Sequence, residues 1–278
     1  SAASDVYKRQ KKEPINFETN LIEQNEKYFT KDSNNRNKPY SGPVFSLYKS
    51  GKKKEVGTLK DGERVGNWKF WYENGKMGGD INFSDGPNNL WYENGQKRTK
   101  TTLKDGKTDG KVVRWYENGQ MEREGTWKDG IQTGLWKWWY ENGQKKGECT
   151  FKNGVMNGIY IEWYENGQKK GESTYRDGKT NGLVKQWYEN GQKMMEYISK
   201  DGEWDGFIPM FNENGQKINE GSWENGQKNG LFIQWYDNGN KEYEYNYEKG
   251  KIISEKEWNE DGSCLLYTSD AADDSLRV

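Results

Sequence analysis

The stretch WYENGQKKGE, Trp139 to Glu148, returns unchanged at Trp163 to Glu172. Its first five letters stand at Trp71, Trp91, Trp115, Trp139, Trp163 and Trp187. The glycines that close this block and its diluted copies are Gly51, Gly75, Gly95, Gly119, Gly143, Gly167, Gly191, Gly215, Gly239 and Gly262. Their spacing is 24, then 20, then six intervals of 24, then 23. A fixed period of this kind marks a repeat architecture. The short interval has a visible cause: PNNL precedes Trp91 where the preceding unit has ERVGNWKF, so four residues are missing.

Each unit carries a second turn signal: Asp61-Gly62, Asp85-Gly86, Asp105-Gly106, Asp129-Gly130, Asn153-Gly154, Asp177-Gly178, Asp201-Gly202 and Asn225-Gly226. A third glycine follows in most units, as at Gly134 and Gly158. Asn-Gly and Asp-Gly supply the positive φ angles of tight turns. The runs between them are rich in Trp, Tyr, Phe, Thr and Ile and have strand length. One unit therefore reads as aromatic strand, Asn-Gly turn, polar strand and Asp-Gly-x-x-x-Gly loop. The fold class is all-β, an elongated array of about ten β-hairpins in a single twisted antiparallel sheet. At about 4.8 Å per strand the ribbon would be roughly 95 Å long before twist.

A two-residue turn at Asn142-Gly143 predicts that Glu141 faces Gln144, Tyr140 faces Lys145, Lys137 faces Glu148 and Leu135 faces Thr150. Trp139 then shares a face with Glu148 and Thr150, while Trp136, Tyr140 and Phe151 take the other. Small residues such as Gly125, Cys149 and Ser173 sit opposite the large apolar position. Trp71, Trp91, Trp115, Trp139, Trp163, Trp187 and Trp235 are expected to form an aromatic ladder, either structural or partner-binding. Terminal units are diluted, from Leu47-Tyr-Lys-Ser-Gly51 to Trp258-Asn-Glu-Asp-Gly262, as capping units of an array are.

The ends stand apart. SAASDVYKRQ, residues 1–10, and CLLYTSDAAD, from Cys264 to Asp273, back-translate to opposite strands of one DNA, which resembles a transposase-end sequencing adapter. Residues 1–10 and 264–278 are accordingly set aside as adapter-derived. Residues 11–40 form a polar lead, expected to be partly helical or flexible, and residues 41–263 form the array. The natural N-terminus is expected to lie outside this chain, so a signal peptide is not testable and both bacterial cytoplasm and cell envelope remain open.

Hydrophobic residues make up only 31% of the 278, yet aromatics reach 15%, with 14 Trp and 18 Tyr. Low hydrophobicity points toward disorder; the aromatics and the strict period point to an ordered, thin structure instead. The net charge is −1, which gives no bulk attraction to nucleic acid or anionic membrane. The chain has no histidine, the usual base at neutral pH. Repetition makes carboxylate environments alike, whereas acid–base pairs need environments that differ. No enzyme activity, cofactor or metal is therefore expected. Asp105-Gly-Lys-Thr-Asp-Gly110 and Asp177-Gly-Lys-Thr-Asn-Gly182 echo the start of a calcium loop, but Tyr116 and Tyr188 stand where its bidentate Glu belongs. Cys149 fills a slot held elsewhere by Gly or Ser, which suits a packed thiol.

The unit WYENGQK-x-x-E-x-x-aromatic-Lys-Asp/Asn-Gly-x-x-x-Gly, with its approach NKPYSGPVFSLYKSGKKKEVGTLKDG from Asn37 to Gly62, resembles the MORN-variant repeat family, including YwqK-type antitoxin proteins. The resemblance spans residues 37–263. It implies an elongated antiparallel sheet and the role of an antitoxin that neutralises a partner toxin by protein contact. The shortened unit and Pro209, within an apolar strand, depart from the pattern. The alternative is a cell-envelope or secreted array binding a glycan or lipid head group, or a spacer. Choline-binding repeats also alternate aromatics and glycines, but their period is nearer twenty. The array expressed alone should give a β-rich circular dichroism spectrum and an elongated small-angle scattering profile. A compact globular radius of gyration would rule the ribbon out.

Overall fold

The computed structural model describes residues 12–269 and divides into two compact units at Ile131/Gln132. Each unit is a meander in which every strand of the array pairs antiparallel with the next, so the hairpin-repeat fold is present in both. In the first, the run is Gly42–Leu47, Lys53–Lys60, Glu63–Trp71, Met77–Asn82, Gly86–Trp91, Lys97–Lys104, Gly110–Trp115 and Met121–Lys128. In the second it begins with Ile131–Trp139, Lys145–Lys152, Val155–Trp163, Lys169–Arg176 and Lys179–Trp187. It continues through Lys193–Lys200, Glu203–Phe211, Lys217–Glu224, Gln227–Trp235, Lys241–Glu248 and Lys251–Trp258 to Cys264–Ser269.

The two turns of each unit differ in kind, and the two-residue turn is not where the Asn-Gly reading puts it. At the WYENG block, the Gly143 amide donates to Tyr140 O (3.0 Å) and the Tyr140 amide to Gln144 O (2.8 Å). The loop is thus Glu141-Asn142-Gly143, with Gly143 at φ +86°. This three-residue loop places Trp139, not Tyr140, opposite Lys145. A β-bulge next to Trp139 then absorbs one residue, so Lys137↔Glu148 and Leu135↔Thr150 pair as expected. The Asp-Gly step is the two-residue turn: Asp177 and Gly178 sit at φ +49° and +83°, and Arg176 faces Lys179. Two consecutive positive φ angles are the mark of the type I′ hairpin. The expected Asp-Gly-x-x-x-Gly loop is therefore a tight turn followed at once by strand. Its third glycine, such as Gly158 at φ +117°, lies where the pairing slips between Cys149 and Phe151.

One face of each sheet is the packed face. In the second unit Trp136, Val184, Ile208 and Phe232 are buried on it. Trp136 lies opposite Cys149 and Tyr160 opposite Ser173, so large and small residues alternate across the strands. Rings continue the packing edge to face: Trp204–Trp223 at 4.9 Å, Trp223–Phe232 at 5.6 Å and Phe232–Tyr247 at 5.0 Å. In the first unit Gly57 plays the small partner to Trp68, and Val112 faces Gly125.

The segment before the first unit's array contains one helical turn and short strands. Ile15–Asn16 runs parallel to Gly42–Leu47, a helical turn Phe17–Asn20 is capped by Asn16, and Ile22–Gln24, Lys27–Lys31 and Asn37–Pro39 form a small sheet. Phe17 and Tyr28 join Val44, Leu59 and Trp68 in one core cluster. That cluster covers apolar surface that a sheet end would otherwise show to water. Residues 1–10, read as adapter-derived, lie outside the described residues. Of residues 264–278, Cys264–Ser269 pairs with Ser254–Trp258. Main-chain pairing alone accounts for that strand, since ladder hydrogen bonds need no particular side chain.

The two irregular units show where the ladder weakens. Between Lys193–Lys200 and Glu203–Phe211 the pairing lapses from Met195 to Ile198, beside Pro209, which has no amide hydrogen to give. In the shortened unit, Met77–Asn82 meets Gly86–Trp91 through only Gly79↔Leu90 and Asp80↔Asn89. A Cβ added at Gly221 would stand 2.2 Å from the Phe232 ring. Gly221→Ala should lower unfolding stability by about 1–3 kcal/mol, measured by urea denaturation, as overpacking does. An unchanged midpoint would show that the ring has room to move.

Candidate interaction face

Each letter of WYENG has a structural task. The Tyr hydroxyl donates to the main-chain carbonyl of the next unit's Trp: Tyr140 to Trp163 O at 2.8 Å, Tyr164 to Trp187 O at 2.9 Å, and Tyr48 to Trp71 O at 2.8 Å. The Asn side chain works twice. Asn166 Oδ1 accepts from the Gln168 amide inside its own turn (2.9 Å), and its Nδ2 donates to Glu189 O of the next unit (2.9 Å). The glycine supplies the positive φ. The glutamate side chains recur at the exposed loop, while their carbonyls receive the neighbouring asparagine. Burial raises the pKa of Tyr140 above the ordinary tyrosine value, which keeps this donor protonated.

The predicted tryptophans are all half-buried: Trp71, Trp91 and Trp115 in the first unit, and Trp139, Trp163, Trp187 and Trp235 in the second. They lie on the face opposite the buried row, because Trp163 alternates with Glu162 and shares its face with Ile161 and Ile159. Over five of these rings stands a lysine. Lys145 Nζ lies 4.6 Å from the Trp163 centroid, Lys169 5.4 Å from Trp187 and Lys217 5.3 Å from Trp235. Lys53 and Lys97 serve Trp71 and Trp115 in the same way. Each such contact contributes about 0.5–1 kcal/mol at exposed sites. Three of these lysines also hold a glutamate three residues on: Lys145–Glu148 at 2.6 Å, Lys169–Glu172 at 2.7 Å and Lys217–Glu220 at 2.6 Å. The hydrogen bond from Lys169 holds the Glu172 carboxyl below the usual glutamate range. A ring-on-ring ladder does exist, but on the packed face and from Trp204, Trp223, Phe232 and Tyr247 instead.

A row that the tryptophan reading passes over shares this open face. Leu135, Ile159, Leu183, Phe207 and Leu231 are each between 39% and 57% exposed. They recur every 24 residues, directly after Gly134, Gly158, Gly182, Gly206 and Gly230. That recurrence is a signal the sequence carries. The first unit has exposed Asn67 and Lys111 after the corresponding Gly66 and Gly110. Among the described residues no group of His, Cys, Asp and Glu is arranged to hold a metal ion. Cys149 is fully buried, and burial pushes its thiol pKa up, away from the reactive thiolate.

Tyr140→Phe removes one inter-unit hydrogen bond while keeping the ring. It should cost about 0.5–1.5 kcal/mol in denaturant unfolding. Loss within error of zero would remove the hydroxyl from the joint.

The family model described as MORN repeat variant matches six segments, 64–85, 108–129, 132–153, 156–177, 180–201 and 228–249. Among curated proteins nothing matches the chain. Three solved structures illustrate what is similar to it. The Tc holotoxin pore of Photorhabdus luminescens shares 12% identity over 87% of this chain and 16% of that one, with a TM-score of 0.21. The structure of TcdB2-TccC3-Cdc42 and that of TcdB2-TccC3 without its hypervariable C-terminal region each share 10% identity over 88% of this chain and 17% of theirs, with a TM-score of 0.15. This chain thus spans less than a fifth of each of those chains, and at these TM-scores the likeness carries no argument. The six matched segments each fall within the hairpin units described above, and it is these six that are similar to the MORN repeat variant.

Proposed function

We propose that the chain is a non-enzymatic repeat protein that binds another protein, and that its partner is a toxin it neutralises, as in YwqK-type antitoxins. The observation that carries protein binding is the exposed apolar row from Leu135 to Leu231. Exposed apolar side chains recurring in register on one face offer a surface to a partner. The core does not need these side chains, since Trp136, Val184, Ile208 and Phe232 fill the opposite face. The toxin role rests on the resemblance of the repeat alone. At Trp163, Trp187 and Trp235 a lysine ammonium stands over a face on which a sugar would stack, which counts against the envelope glycan reading.

The test is co-expression of the full chain with the product of each neighbouring gene in its native genome. Growth arrest by one such product, relieved by this chain with formation of a stable complex, is the expected outcome. If no neighbouring product is toxic or none is bound, the antitoxin reading falls.

A further inference from the structure

We infer that the first unit binds a small apolar carboxylate, an alkyl or aryl acid, whose carboxylate sits between Lys53 and Lys69 where the repeat elsewhere supplies a glutamate. This goes beyond the protein-binding reading and does not rest on it. In the second unit five lysines each hold the glutamate three residues on, from Lys145–Glu148 to Lys241–Glu244. Glu172 has a second cation beside it, because it lies directly across the ladder from Lys185. The hydrogen bond from Lys169, together with the charges of Lys169 and Lys185, holds its carboxyl below the usual glutamate range. Two lysines on neighbouring strands thus make a place for one carboxylate.

The first unit keeps both lysines and carries valine in place of the acid. Lys69 faces Val56 across the ladder as Lys185 faces Glu172. Lys53 stands three residues before Val56, as Lys169 stands before Glu172. Its ammonium is held in the same place: Lys53 Nζ lies 5.3 Å from the Trp71 centroid, against 5.4 Å for Lys169 over Trp187. Among the described residues Lys53 meets that ring and no carboxylate. Lys69 keeps only Asp80, at 3.6 Å on its other side.

A recess of about 520 Å³ lies between these lysines and the start of the array. Small-molecule sites run from about 300 to 1,000 Å³. Half-buried Phe45 and Val56 give it an apolar floor, and Pro14 and Pro43 line it as well. Pro14 is brought there by the parallel pairing of Ile15–Asn16 with Val44 and Phe45. The floor selects a ligand with an apolar body, since covering it removes apolar surface from water. The lysines select a carboxylate at one end, which accepts charge-assisted hydrogen bonds. An amide would leave two ammonium groups without a counter-charge. The glutamate of a partner protein has too short a stem to cover Phe45, Val56 and both prolines, so the recess fits a free acid.

The probe is octanoate, titrated into the full chain by calorimetry and followed by saturation-transfer NMR, with octanamide as its neutral counterpart. Saturable binding of octanoate and none of octanamide is expected. Lys53→Gln and Lys69→Gln should each weaken it about tenfold, the loss of one hydrogen bond to a charged group. Lys97→Gln should leave the affinity unchanged, although Lys97 also lacks a glutamate three residues on. Val56→Glu restores the repeat's own carboxylate and should abolish binding. Five units of this chain carry glutamate at that position, and circular dichroism checks that the variant keeps the wild-type β spectrum. If it does not, the two lysine variants decide. No binding, equal binding of octanamide, an equal loss in Lys97→Gln, or full binding by a folded Val56→Glu overturns the inference. Tighter binding of a capped glutamate than of octanoate would assign the site to a partner's side chain and overturn it too. A chain that binds octanoate but neutralises no toxin loses the antitoxin reading and keeps this site.

Discussion

The hydrogen bond from each tyrosine to the next unit's tryptophan carbonyl is the constraint on which the repeat depends. It joins residues 23 apart, one period along the chain, and holds rungs that share no strand. Its acceptor is main chain, so the ring at the receiving position is free to drift. Phe211 receives Tyr188 at 2.9 Å as a tryptophan would. The same economy explains how the shortened unit survives: the missing residues lie away from the joint, and Tyr72 still reaches Trp91 O at 2.8 Å across 19 positions. Where the tyrosine itself is lost, the joint changes. Asn212 stands in that place, and its side chain bonds Gln216 within its own turn.

Around this bond the other contributions are small and repeated. A single hairpin is marginal in water. The asparagine amide and the lysine over the tryptophan each add a modest increment per unit. Stability is then close to a sum of nearest-neighbour terms, as in other linear repeats. The packed face supplies the apolar part through rings set against glycine, cysteine or serine. The first unit adds Phe17 and Tyr28 to that packing; the second has a longer run of edge-to-face aromatics.

The division of labour between faces follows from alternation. Once Trp136 and its counterparts are turned inward, Leu135 and Trp139 must point outward. At Trp163 and Trp187 the tryptophan is then half-covered by lysine and bound into the joint through its carbonyl. The leucine has no such cover. That difference moves the candidate site from the residue the sequence repeats most loudly to a quieter one four residues earlier on the same face of the strand.

The period, the strands and the hairpins were legible in the sequence, because glycine at positive φ and alternating side chains are local rules; the Lys137–Glu148 and Leu135–Thr150 pairings hold only because a bulge beside Trp139 offsets the longer turn. The turn types were not legible. Asn-Gly and Asp-Gly permit the same backbone angles, and only the Tyr140–Gln144 pairing makes the first a three-residue loop. Nor could alternation say which of Leu135 and Trp136 enters the core. It requires that they part, but the choice belongs to the ring and glycine neighbours contributed by strands far along the chain. By itself the sequence determined a β-hairpin array of 24-residue units; the tertiary structure decided which face is spent on holding it together and which is left to meet water or a partner, because burial is a property of the stacked sheet and not of any one hairpin.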